Sequence, residues 1–308
     1  MLIITNGSSA VSALDEAEIP GEKLSWDDVL HDGPVPDGLD LPDLSRVRAR
    51  FIADCRWGAE EDVRDAFQRR DARLAASQGD GEVVLWFEHD LYDQLQLLQL
   101  LDWFGAPDRR PPRLTLICRA AYVSLDEPDV LREAFDGRIA IADRHFEAAR
   151  HAWAAFRAPT PTPLAACARH PSDELPFLAP AFRRLLEEYP GVRDGLARTE
   201  RQLLSVIRDR PGATRGEAFV TAQPLDDPVY LGDASFFRYL DGLRADPAPL
   251  LTNDEDGGLQ LTKAGHDVLA GRLDRIRLRG IERWYGGVRL TGGNIWRWNG
   301  EAGTIEAE

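Results

Sequence analysis

Five consecutive apolar residues, Val83 to Phe87, are followed by three charged ones, Glu88, His89 and Asp90, and then by leucines at helical spacing. The apolar run lacks the alternation of a half-exposed strand, so it reads as a central strand buried on both faces. Leu91, Leu95, Leu98 and Leu101 fall on one helical face, which Leu97 and Phe104 widen, while Gln96 and Gln99 lie away from it. Asp90 stands at the junction, where its carboxylate can accept from a first-turn amide. A strand that ends where a helix begins puts this corner on the edge at which open α/β sheets bind ligands.

The same alternation runs through the first half of the chain. Strand-like runs at 2–4, 23–26, 83–87, 114–118 and 139–142 are separated by helical patterns at 10–17, 44–57, 60–76, 91–104 and 128–135. This order predicts a Rossmann-like, mostly parallel sheet with helices on both faces, occupying residues 1–158. A helix at 146–157 closes it. APTPTP at 158–163 reads as an extended, stiff linker, and residues 159–197 as linker and connecting helices, with helical spacing at 175–189.

From residue 198 the pattern changes. Helices at 199–209, 214–222 and 233–244 are followed by strands at 250–252 and 259–261 around a polar turn, and by a helix at 263–270. Three helices and then a hairpin is the order of a winged helix-turn-helix, here residues 198–278. Residues 279–308 are rich in Trp and Gly, and strands at 288–290 and 295–298 predict a tail hairpin. The fold class is therefore α/β: a Rossmann-like domain, then a helical, winged-helix-like C-terminal domain with a terminal β-hairpin.

Candidate chemistry gathers at the strand ends. The loop Asn6, Gly7, Ser8 and Ser9 leads from the first strand into a helix, where free amides can hold an anion. Neither GxGxxG nor GxxxxGK[ST] is present, and a plain turn with a serine cap explains the loop equally well. The second strand runs into Asp28, His31, Asp32 and Gly33 before Pro34. Parallel strands would bring this cluster to the same edge as Glu88, His89 and Asp90. His31 and His89 are then candidate general acids or bases. Asp28, Asp32, Glu88 and Asp90 would orient them or hold Mg²⁺ or Mn²⁺, and Asp93 joins the ligand-binding set. Arg46, Arg48 and Arg50 could neutralise an anionic ligand or simply pair with nearby acids. Ser8 and Ser9 are nucleophile candidates by position only, since no GxSxG occurs. The structural alternative is turn-forming aspartates, helix caps and a histidine bonded to a carbonyl.

Charge narrows the partners. A net charge of −15 argues against broad nucleic-acid binding. Within the winged-helix-like segment, Asp233 and Asp241 offset Arg238 and Arg244, and the wing tip carries Asp254, Glu255 and Asp256, so DNA is disfavoured and a protein partner is the better expectation. No apolar stretch reaches membrane-span length. Cys55, Cys118 and Cys167 are widely spaced and form no zinc pattern, which suits a reducing cytoplasm. Cys118, inside an apolar run, reads as buried packing.

WDDVLHDGPVP (26–36), LWFEHDLYDQLQLLQLLDWF (85–104), LPFLAPAFRRLLEEYP (175–190), GLARTERQLL (195–204) and GIERWYGGVRL (280–290) resemble the uncharacterised bacterial family catalogued as domain of unknown function 1835. The resemblance covers nearly the whole chain, and its EHDLYDQ and LHDGPV segments are the specific ones. Similar sequences are expected to carry an Asp after the first Asn-Gly, where this chain has Ser8. The resemblance supports the architecture and assigns no reaction. The residues themselves point to an enzyme of hydrolase or transferase type acting on a small phosphorylated or nucleotide-like ligand. The alternative is a ligand-sensing regulator or adaptor whose winged helix contacts a protein or DNA.

Overall fold

A computed structural model describes residues 1–308. The first half alternates strands and helices: β1 (Leu2–Thr5), α1 (Gly7–Glu16), β2 (Glu22–Ser25), β3 (Gly33–Pro34), α2 (Leu41–Asp54), α3 (Glu60–Ala76), β4 (Val83–Phe87), α4 (Leu91–Phe104), β5 (Leu114–Cys118), α5 (Pro128–Asp136), β6 (Ile139–Ala140) and α6 (Asp143–Arg157). Five of these strands form one sheet in the order β2-β1-β4-β5-β6. All neighbours are parallel except β5 and β6, so the sheet is mostly parallel. Leu2 is level with both Glu22 and Val83, and Val83 with Leu114.

Every residue of β1 and β4 is buried, as the unbroken apolar runs require. Side chains alternate between two cores. Leu2, Ile4, Val83, Leu85 and Phe87 face the larger one with α4, while Ile3, Val84 and Trp86 face a smaller one with α1 and α5. The helices that follow β1 and β4 therefore cover opposite faces of the sheet.

The second half continues with α7 (Thr162–Arg169), α8 (Leu178–Leu186), α9 (Arg198–Asp209), α10 (Arg215–Ala222), α11 (Asp233–Arg244), β7 (Leu251–Asn253), β8 (Leu259–Leu261), α12 (Lys263–Leu269), α13 (Arg275–Arg279), β9 (Arg283–Gly286), β10 (Val288–Leu290), β11 (Trp296–Asn299) and β12 (Thr304–Ala307). Helices α10 and α11 pack on α9, and β7 and β8 form a two-stranded antiparallel hairpin. The larger core runs without a break from Leu2 to Leu290 and includes residues of both halves. Arg184 of α8 is buried in a polar knot with Asp226, Glu188 and Thr199, which ties the helices of this half together.

Two expectations change. The APTPTP segment is a corner: α7 starts at Thr162 and packs back on α6. Pro163 lies in the first turn of α7, where a fixed φ favours a helix start over an extended spacer. The tail hairpin also differs. β10 pairs with β9 through a tight Gly286–Gly287 turn, β11 pairs with β12, and 291–294 carries only an isolated bridge. A two-residue glycine turn closes a hairpin more readily than the Thr291–Asn294 stretch. The other edge of β9 pairs in parallel with β3, so the tail is stitched to the loop after β2.

Candidate functional site

The sheet order reverses between β1 and β4. The chain leaves β1 toward β2 on one side and leaves β4 toward β5 on the other, which opens a crevice at their C-terminal ends. Asn6 follows β1 and Glu88 follows β4, so these residues flank the crevice.

The Glu88 corner is built by its own backbone. The Asp90 carboxylate accepts from the amides of Tyr92 at 2.8 Å and Asp93 at 3.2 Å and caps α4. Asp93, one turn on, turns back and accepts from the Glu88 amide at 2.7 Å. Glu88 accepts from the amide of Val123, in the loop after β5, at 2.7 Å. These bonds converge three carboxylates: Glu88, Asp90 and Asp93 are all buried, and each offers an oxygen within 4.8 Å of the others.

Asn6 joins them from the neighbouring strand, its side-chain amide donating to Asp93. Asn6 is the N-cap residue of α1, yet its side chain does not cap that helix, and the first turn of α1 contains no acidic residue. The amides at this helix start are left facing the crevice without a side-chain acceptor. Gly7 enters the helix with φ +47°, a left-handed conformation that suits glycine. Ser8 and Ser9, in the same turn, are exposed, and their hydroxyls make no hydrogen bond.

Crowding three carboxylates out of water disfavours their charged forms. Burial pushes Asp90 up to about 7, with Glu88 adding to the effect. Burial also raises Asp93 well above the carboxylate range, reinforced by Asp90 and Glu88, and raises Glu88 itself. His89 borders the cluster, packed between Tyr122 and Phe177, with ring centroids 5.3 and 5.9 Å away. Burial lowers its pKa, which favours the neutral ring. The Tyr122 hydroxyl donates to the carbonyl of Val229 at 2.9 Å, bringing a loop of the C-terminal half over the corner.

The second acid–histidine corner is organised differently. Asp28, His31, Asp32 and Gly33 lie outside the carboxylate cluster. Arg48 is fully buried among them: it pairs with Asp28 at 2.8 Å and donates to the carbonyls of Val29, Asp32 and Pro34. Asp32 is held by Arg238 of α11 at 2.8 and 2.9 Å. Both carboxylates are thus neutralised by arginines and serve the loop's conformation and the docking of α11. His31 is buried against Tyr92 and Tyr230, and neither ring nitrogen has a partner. Burial lowers its pKa to about 4. His31 and His89 make no ring contact with each other. Gly33 has φ +84°, and a Cβ there would come within 2.6 Å of the Phe51 ring, which accounts for the glycine by packing. Arg46 pairs with Asp43 at the surface.

Tyr92 and Tyr122 border the crevice but carry no acid-base spacing pattern that would single them out. Tyr122 follows β5 on the same sheet edge, and that position is the one sequence cue it offers. Burial raises Cys118 to about 12, as expected of a packed thiol and not a nucleophile. A cleft of about 540 Å³ opens beyond β5, where Gln94, Cys118, Arg119 and Arg144 contribute to its lining. None of the three carboxylates lines it, although Gln94 also donates to the Glu88 carbonyl at 2.6 Å. No protein-family model and no curated protein matches the chain. No helix is long and apolar enough to cross a membrane.

Proposed function

We propose that this protein binds a small phosphorylated or nucleotide-like ligand together with a divalent cation at the crevice between β1 and β4, and catalyses a hydrolysis or group transfer there. The observation that carries this reading is the convergence of Glu88, Asp90 and Asp93 oxygens within 4.8 Å of one another. Ligands on opposite sides of a Mg²⁺ or Mn²⁺ ion lie roughly 4–5 Å apart, and these hard ions take oxygen donors. A buried trio of carboxylates needs either protons or a cation to offset its charge. Asn6 would fix Asp93 in place, and the uncapped start of α1 would receive a phosphate beside the ion. Neutral His89 would accept the proton of an attacking water. The cleft beyond β5, with Arg119 and Arg144, offers room for the rest of the ligand.

The parallel sheet with its reversal between β1 and β4 supports the Rossmann-like reading. The order of α9, α10, α11 and the β7–β8 hairpin supports a winged-helix-like C-terminal unit. A second reading, a ligand-sensing regulator with a protein partner, draws on two contacts of one loop: Val229 accepts from Tyr122 and Tyr230 packs on His31. An occupied crevice would be felt by the C-terminal half through that loop.

The test is a thermal-shift screen with Mg²⁺, Mn²⁺, nucleotides and phosphosugars on the wild type and Asp90→Asn. A ligand that binds the native state raises Tm by mass action. A shift present in the wild type and lost in a folded Asp90→Asn protein is expected. No shift with any ion or compound would overturn the proposal.

A further inference from the structure

A second concave site lies between the two halves, away from the carboxylate crevice and independent of its reading. It is a cleft of about 600 Å³, within the range of small-molecule sites. Four aromatic rings line it from three elements: Phe51 and Trp57 at the end of α2, Phe237 of α11 and Trp284 of β9. Aromatic side chains bordering one space can pack against a flat, π-faced ring.

Cationic groups stand beside the rings. Arg56 lines the cleft and makes no ion pair or side-chain hydrogen bond. It is also held at φ +61°, a conformation L side chains seldom adopt. Its amide bonds to the Ala53 carbonyl at 2.8 Å and that of Trp57 to the Ile52 carbonyl at 3.1 Å. These are the closing bonds of a helix end in which glycine is the usual occupant of this position. The chain therefore keeps a free guanidinium at the one place in the turn where a side chain is least welcome. Arg238 engages Asp32 through a single terminal nitrogen, and its other two guanidinium nitrogens make no hydrogen bond. Of the carboxylates at the rim, Asp241 is held by Arg215 and Glu282 by Arg289, and Asp54 alone is unpaired.

We infer that this cleft binds a nucleoside monophosphate, the heteroaromatic base lying among Trp57, Phe237 and Trp284 and the phosphate on Arg56 and Arg238. Guanidinium groups suit phosphate because they donate in a planar fork.

Isothermal titration of the full chain with AMP, adenosine and inorganic phosphate tests this, using wild type, Arg56→Gly and Asp90→Asn. Glycine relieves the backbone at this position, so Arg56→Gly keeps its Tm or gains. AMP is expected to bind the wild type and Asp90→Asn alike, to bind Arg56→Gly about tenfold or more weakly, and to outbind both adenosine and phosphate. Absence of AMP binding at millimolar concentration overturns the inference. So does AMP binding that Arg56→Gly leaves unchanged; if Asp90→Asn also abolishes it, the nucleotide belongs to the sheet edge.

Discussion

Arg48 Nε stands 2.9 Å from Asp28 Oδ1, and neither side chain is exposed to solvent. The same guanidinium donates to three carbonyls of the loop after β2, so it sets that loop's path as well as its charge balance. Arg48→Met would strand a buried carboxylate and leave carbonyls unmet, at a cost of about 3–5 kcal/mol. Arg48→Lys should also fail, since an ammonium cannot reproduce the planar fork. Urea unfolding measures both. A loss under about 1 kcal/mol in Arg48→Met would mean the pair contributes no more than a surface ion pair.

The carboxylate cluster predicts opposite effects of pH on the apoprotein and on ion binding. Burial, with help from Glu88, raises Asp90 to about 7. Its folded-state pKa is above the unfolded value, so its contribution to stability is full below about pH 4 and is lost as pH rises through 7. That loss is at most about 4 kcal/mol. An ion competes with the protons, so Mn²⁺ should raise Tm more at pH 8 than at pH 5, and not at all in Asp90→Asn. An equal shift at both pH values would place the ion elsewhere.

Much of this corner was legible in the sequence. Val83 to Phe87, Asp90 and the leucine stripe specify a buried strand, a cap and a helix by local pattern, and the structure forms all three. What pattern could not give was the pairing of distant charges. Asp28 and Glu88 look alike as acids beside a histidine. Arg48, 20 residues after Asp28, neutralises the first, while no arginine reaches the second. The tail departs from its local pattern for a related reason. Both 288–290 and 295–298 have strand character, but each pairs outward, and the partner of β9 at Gly33–Pro34 lies in a distant loop.

His31 predicts acid sensitivity. Burial drives its pKa down to about 4, against the opposing pull of Asp32. Because the folded pKa lies below the unfolded one, its contribution to stability is full above about pH 6.5 and is lost as pH falls through 4, by roughly 3 kcal/mol. This runs opposite to Asp90 over the same window, so the two offset each other in the wild type and are separated by comparing the single variants. His31→Phe removes two unpartnered ring nitrogens and should gain stability relative to the wild type as pH falls from 6.5 to 4. An acid limb of unchanged slope in that variant would assign the sensitivity to other groups.

The contact of Arg238 with Asp32 also bears on nucleic acid. In a winged helix, α11 would be the element offered to a DNA groove. Here Arg238 is turned into the N-terminal half, Arg215 and Arg244 are both drawn to Asp241, and the β7–β8 turn carries Asp254, Glu255 and Asp256. Arg215 and Arg244 are committed to Asp241, Arg238 is anchored to Asp32 at the cleft between the halves, and the acids of the turn would repel phosphates. The full chain should therefore show no salt-dependent binding to duplex DNA in fluorescence anisotropy, even at low ionic strength. Removing the contact should act on stability instead: Arg238→Ala leaves Asp32 a buried, unpaired charge and should cost about 1–3 kcal/mol. A wild-type affinity that falls steeply with added salt would show that other cations form a phosphate-binding face.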